Sequence, residues 1–150
     1  MWLTNASRTD IAPADVERLK RVRSGLRLLV VAEDWCPDSV HTVPYIANLA
    51  AAAGVEVRIV DRRAGNSLMA QHRTRDGRTV TPTVVLLRND RDVGAWVERP
   101  AVLQALFFSM ATDPESARQF ADRTSWYERD RGRTTIGEVI ALAEQTAAHK

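Results

Sequence analysis

The run Leu26-Arg27-Leu28-Leu29-Val30-Val31-Ala32 is apolar except for Arg27 and lies between Gly25 and the polar pair Glu33-Asp34. Its shortness and its flanking breakers mark a strand. A strand without apolar-polar alternation is covered on both faces, so the chain must set this segment inside a sheet with helices packed on it.

The neighbouring segments supply those helices and further strands. Pro13 to about Ser24 carries Val16, Leu19 and Val22 at helical spacing, opens on a proline, and is closed by Gly25. From Pro37 to about Ala53, Val40, Val43, Ile46, Leu49 and Ala50 form a stripe that Gly54 ends, with Pro44 inside it predicting a kink. Val55, Val57 and Ile59 alternate with Glu56 and Arg58 in a second strand that stops at Asp61, and a short helix covers about Asn66 to His72. Thr83 to Leu87 is a third strand, Arg88 to Asp92 a polar turn, and Val93 to Arg99 an antiparallel return strand. Pro100 starts a helix carrying Val102, Leu103, Leu106 and Phe107. Helical crossovers between strands imply a parallel part, and the hairpin adds an antiparallel edge.

Beyond about Ala111 the pattern changes. Asp113-Pro114-Glu115 opens a helix with Ala117, Phe120, Ala121, Thr124 and Tyr127 on a modest apolar face; after Gly132, Thr135 and Glu138 read as a capping box for a last helix with Ile136, Val139, Ile140, Leu142 and Ala143. The expected division is a domain over residues 1–111 and a two-helix extension over 112–150 packed on it. Its apolar face either covers the sheet or contacts a second copy in a homodimer.

Composition narrows the function classes. At 150 residues with 45% hydrophobic content the chain can bury one good core. Lys20 and Lys150 are the only lysines, and the arginines alternate with acids, as in Glu128-Arg129-Asp130-Arg131. No basic run with interleaved aromatics marks a nucleic-acid binder. No stretch has the length of a membrane span, and the N-terminal residues do not read as a signal peptide, so a cytoplasmic protein with a reduced thiol is expected. His41, His72 and His149 are dispersed, and a single cysteine gives no zinc spacing, so neither metal nor other cofactor is expected.

That cysteine, Cys36, follows the buried strand directly and precedes the helix opened by Pro37. A thiol there faces the backbone N–H groups and the positive end of the helix dipole, which favour the thiolate. Asp38 opposes that effect with its own charge while suiting the helix start. Ser39 occupies the position, three residues on, where a second thiol would close an internal disulfide, so any disulfide must reach another molecule. Trp35 reads as a partly exposed lid.

Trp35-Cys36-Pro37-Asp38-Ser39 resembles the Trp-Cys-x-x-Cys active site of thioredoxins, and Val80-Thr81-Pro82-Thr83 resembles the stretch that carries that family's cis proline. Pro44 matches the proline that bends the family's active-site helix, and Asp61 is similarly placed at the end of the second strand. The resemblance covers about Leu26 to Ala111. It implies an α/β, thioredoxin-like fold: a central mixed sheet with a terminal antiparallel hairpin, flanked by helices. It also implies that Cys36 is the nucleophile, that Thr81-Pro82 is cis, and that Trp35, Pro37, Asp38, Ser39, Thr81 and Pro82 contact substrate, with Thr81 offering strand-like hydrogen bonds to an extended peptide. Two departures agree with each other. Ser39 replaces the resolving cysteine, and Val30 replaces the buried carboxylate that serves it.

Three functions follow from the resemblance. In the first, Cys36 forms a mixed disulfide with a protein or a low-molecular-weight thiol or disulfide, and an external thiol resolves it. In the second, the peptide groove survives as a binding module without turnover. The third, a glutaredoxin-like use of glutathione or of a bridging iron–sulfur cluster, ranks last because Gly94 is followed by Ala95 and Trp96 instead of a second glycine. Arg62, Arg63, Arg73, Arg75 and Arg78 read as solvated loop charges, with an anionic ligand beside the thiol as the lesser alternative.

Overall fold

The computed structural model describes the chain except for Thr9, Ala111, Phe120, Ala121, His149 and Lys150. Phe120 and Ala121, expected on the extension's apolar face, and His149 therefore lie outside the described residues. In chain order the elements are α1 (Trp2–Ala6), α2 (Pro13–Arg21), β1 (Leu26–Val31), α3 (Pro37–Val40), α4 (Val43–Ala53), β2 (Glu56–Val60), α5 (Asn66–Gln71), β3 (Thr83–Arg88), β4 (Arg91–Val97), α6 (Ala101–Ser109), α7 (Pro114–Gln119), α8 (Arg123–Asp130) and α9 (Arg133–Ala148).

The sheet runs β2-β1-β3-β4, which puts the apolar β1 inside, as its sequence demands. β1 pairs parallel with β2, Leu28 opposite Val57, and antiparallel with β3, Val30 opposite Val84. β3 pairs antiparallel with β4, Val84 opposite Trp96, with a register shift between Leu86 and Leu87. The parallel part is thus confined to β1 and β2. The chain enters β3 at the end of the sheet where it left β2, since Val31 stands opposite both Val60 and Thr83.

Some boundaries depart from the sequence reading for local reasons. The hairpin turn is two residues, Asn89 and Asp90, both with positive φ (51° and 65°), so β3 keeps Arg88 and β4 begins at Arg91. Asn and Asp tolerate that left-handed pair at low cost. The kinked helix expected from Pro37 to Ala53 is two helices, α3 and α4, separated at His41 and Thr42. Pro44 stands in the first turn of α4, where its missing N–H costs nothing, so the chain restarts a helix there instead of bending one. Gly54 then closes α4 in the left-handed conformation at φ 73°.

The core joins both ends of the chain. Leu19 of α2, Leu28 and Val30 of β1, Ile46 and Leu49 of α4, Val84 and Leu86 of β3, and Ile136, Val139, Ile140 and Ala143 of α9 form one buried cluster, with Leu142 partly buried against it. Each of the larger side chains contributes about 1.5–3 kcal/mol by leaving water.

The C-terminal extension has three helices where two were expected, because Asp122 caps α8 separately, accepting from the Ser125 N–H at 2.5 Å. The Thr135–Glu138 capping box does not form. α9 begins two residues earlier, at Arg133, and the Thr134 N–H donates to Asp130 Oδ2 at 3.1 Å. Glu138 instead accepts from the Trp96 indole N–H at 3.0 Å and from the Ala101 N–H at 3.0 Å, tying α9 to β4 and α6. Between α8 and α9, Gly132 at φ 75° lies so close to Tyr45 that a Cβ would fall 2.3 Å from the ring. α1 went unread in the sequence: it buries Asn5, whose side-chain amide donates to Val40 O at 2.6 Å. Among the described residues no helix is long and apolar enough to cross a membrane.

Candidate active site

β1 delivers the chain to the loop Glu33-Asp34-Trp35, and Cys36 follows as the N-cap of α3, with φ −83° and ψ 120°. Its carbonyl accepts from the Val40 N–H at 3.0 Å and its own N–H donates to Glu33 O at 3.2 Å, so the backbone holds the thiol on both sides. The dipole facing Cys36 is that of the single turn of α3, since the chain breaks before α4; the long helix expected behind the thiol is not there.

The thiol is 8% exposed and donates to Thr81 O at 3.5 Å. The Thr81–Pro82 bond is cis, as the resemblance implied. Trp35 is 67% exposed and stands out beside the buried sulfur. Pro37 opens α3. Ser39 is fully buried, and its Oγ accepts from the Glu33 N–H at 3.3 Å. Glu33 Oε1 in turn accepts from the Arg62 N–H at 2.8 Å, which fixes the loop after β2 against the cysteine turn. Val30, where the resembling family has its buried carboxylate, is wholly inside the apolar core.

Asp38 departs most from the sequence reading. Its side chain is turned away from solvent and fully engaged by the chain's own residues. Oδ1 accepts from the Tyr127 hydroxyl at 2.6 Å and from Arg99 Nε at 3.3 Å, while Oδ2 accepts from Arg99 Nη2 at 2.8 Å and Arg123 Nη1 at 3.0 Å. Two guanidiniums therefore balance the charge expected to act on the thiol. Burial first, then the Asp38 charge and hydrogen bond, push the Tyr127 phenol far above its ordinary range, so it stays a donor. His41, at the break between α3 and α4, stacks on Tyr127 with ring centroids 4.9 Å apart and planes 7° apart. Burial lowers its pKa and keeps the imidazole neutral.

Arg99, Arg123 and Glu98 were not singled out in the sequence, and Tyr127 only as part of the extension's apolar face. They lie more than 55 positions from Asp38, and nothing local distinguishes an arginine that pairs with a buried carboxylate from one that faces water. Arg78 is exposed, as expected of a loop charge, but it is also paired: it forks onto the buried Glu98, with Nη1 and Nη2 each 3.0 Å from a carboxylate oxygen, and that pairing raises its pKa. Among the described residues no three His, Cys, Asp or Glu side chains converge to hold a metal ion. A cavity of about 740 Å³ lined by Arg21, Arg88 and Arg91 opens at the hairpin end of the sheet, away from Cys36.

Sheet order, crossover and the placement of a thiol between β1 and the next helix define an α/β protein of the thioredoxin-like class. A family model described as thioredoxin matches residues 2–121, and the chain belongs to that family. The match extends beyond the resemblance at both ends, taking in α1 and α7. A crystal structure of an HIV epitope scaffold is similar at 24% identity and a TM-score of 0.68, covering 96% of this chain and 85% of its own. A protein of unknown function from Pseudomonas aeruginosa is similar at 24% identity and a TM-score of 0.66, covering 96% and 84%. These two likenesses speak to the fold alone. No curated protein matches the sequence.

Proposed function

We propose that the protein is a monothiol thiol–disulfide oxidoreductase. The observation that carries the reading is the Cys36 sulfur, 3.5 Å from the Thr81 main chain, with a serine hydroxyl where a resolving thiol would stand. The Cys36 thiolate attacks one sulfur of a partner disulfide, the new S–S bond joins Cys36 to that sulfur, and the other sulfur leaves as a thiolate that takes a proton from solvent. An external thiolate then attacks the partner sulfur of the mixed disulfide and releases Cys36. Thr81 offers its backbone to an extended segment beside the reacting sulfur, and the exposed Trp35 ring gives that segment an apolar surface. The external thiol is a protein or a low-molecular-weight thiol.

A second reading, a peptide-binding module without turnover, is favoured by one observation: the thiol is 8% exposed and already donates to Thr81 O. Incubation with hydroxyethyl disulfide and intact-mass analysis separate the two. The oxidoreductase reading expects one adduct per folded chain, absent in Cys36→Ser and released by added thiol. No adduct on the folded protein would leave the binding module.

A further inference from the structure

The Asp38 carboxylate, two residues after Cys36, is buried to 3% exposure and takes no part in the exchange chemistry. Its principal partner, Arg99, also sets Nη2 at 2.9 Å from Glu98 Oε1. Glu98 donates its backbone N–H to Pro82 O at 2.8 Å. The contacts close into a ring that runs from the Cys36 sulfur to Thr81 O, along Pro82 to Glu98, across Arg99 to Asp38, and back through Pro37 to Cys36.

Glu98 occupies the ring with φ 71°, a conformation that non-glycine residues rarely adopt, and it is held there by the Arg78 fork and by the Gln104 amide at 3.1 Å. The Arg99 guanidinium is backed by the Phe107 ring, 4.0 Å from its centroid. From outside the ring, α8 holds the same carboxylate through Arg123 and Tyr127. A carboxylate placed beside a thiol only to tune its charge would not need four donor groups from two separate parts of the chain.

We propose that Asp38 and Arg99 are positioning residues that fix the spacing between the Cys36 sulfur and the Thr81 main chain, and that α8 thereby governs how an extended disulfide-bearing peptide is presented to the thiol. The inference rests on the reading of Cys36 as a reacting thiol. The substrate it concerns is the extended disulfide-bearing peptide of that reading, which must pair with Thr81 and reach the sulfur at once. A small disulfide needs only the sulfur, so the ring matters little to it.

The test compares, on the full chain, the second-order rate constants for Cys36 adduct formation with hydroxyethyl disulfide and with an extended peptide carrying a disulfide. In Asp38→Asn and Arg99→Met the peptide rate should fall by about 10-fold or more relative to the small-disulfide rate, because a misplacement of about 1 Å suffices for losses of that size. Arg123→Gln, at the partly exposed end of the cluster, should lower the same ratio less and keeps the test open if a buried variant does not fold. An unchanged ratio in folded variants, whatever their melting temperatures, overturns the positioning role and leaves the cluster merely structural. A wild type that forms no adduct with either disulfide overturns the exchange reading itself, and the positioning role with it.

Discussion

Tyr127→Phe isolates one hydrogen bond of the buried cluster. The substitution removes the hydroxyl that donates to Asp38 Oδ1 at 2.6 Å and leaves the ring stacked on His41. A hydrogen bond to a charged group is worth about 1.5–3 kcal/mol. Oδ1 keeps Arg99 Nε at 3.3 Å, so the acceptor is not orphaned and the loss belongs at the lower end, about 1.5 kcal/mol. For a chain of this size that corresponds to a melting temperature lower by roughly 3–6 °C. Asp38→Asn should cost more, about 3 kcal/mol, because it leaves the guanidiniums of Arg99 and Arg123 without their countercharge, with Arg123 partly relieved by solvent. The double variant should lose less than the two single losses added, because Asp38→Asn leaves the Tyr127 hydroxyl only a neutral acceptor, so Tyr127→Phe then removes a weaker bond. Urea titrations of the four proteins measure this cycle. Strictly additive losses, or a Tyr127→Phe protein within about 0.5 kcal/mol of wild type, would refute the view that Asp38 is the hub of the cluster.

Three further outcomes are expected. His41 has its pKa lowered from 6.5 by burial, so the native state binds fewer protons than the unfolded one; the stability this confers is present above pH 6.5 and declines as pH falls below it. Urea midpoints between neutral and mildly acidic pH should therefore drop further for wild type than for His41→Gln, and equal drops would contradict the assignment. Gly132→Ala should cost about 2–5 kcal/mol by calorimetry, the sum of a left-handed backbone penalty and a clash with Tyr45, and a neutral result would mean that the α8–α9 turn is free to move. Ser39→Cys should form an internal disulfide under mild oxidation and release its own mixed disulfide without added thiol, read by mass spectrometry of alkylated protein; two thiols that remain free after oxidation would show that residues 36 and 39 are not one turn apart in reach.

Legibility in the sequence followed the range of the interactions. β1 could be read because the run from Leu26 to Ala32 is apolar except for Arg27, which is the one exposed residue of the strand, and the thiol turn because strand, cysteine and proline are contiguous. The stripe of α9 could be read too, since Ile136, Val139, Ile140 and Ala143 repeat at helical spacing. Its start could not: Thr135 and Glu138 match a capping box by spacing, but the tertiary pull of Trp96 and Ala101 on Glu138 outweighs a local cap. The partners of Asp38 are 61, 85 and 89 positions away, and arginines are so frequent in this chain that no single one stands out. α1 has too few residues to show a period, and its anchor, Asn5, is a polar side chain whose burial only the Val40 carbonyl explains.

The joining of α2 and α9 in one cluster has a kinetic side. Arg18 of α2 pairs with Glu144 of α9 across 126 positions of chain. Closing a loop of that length costs about 4 kcal/mol of chain entropy beyond the constant part. Until it closes, β4 and the sides of α2 and α4 on which α9 packs are uncovered. The sheet cannot reach its full protection before α9 docks, so the slowest-exchanging amides of β1 should be released together with those of α9, as one cooperative unit, and not as a stable centre with a fraying tail.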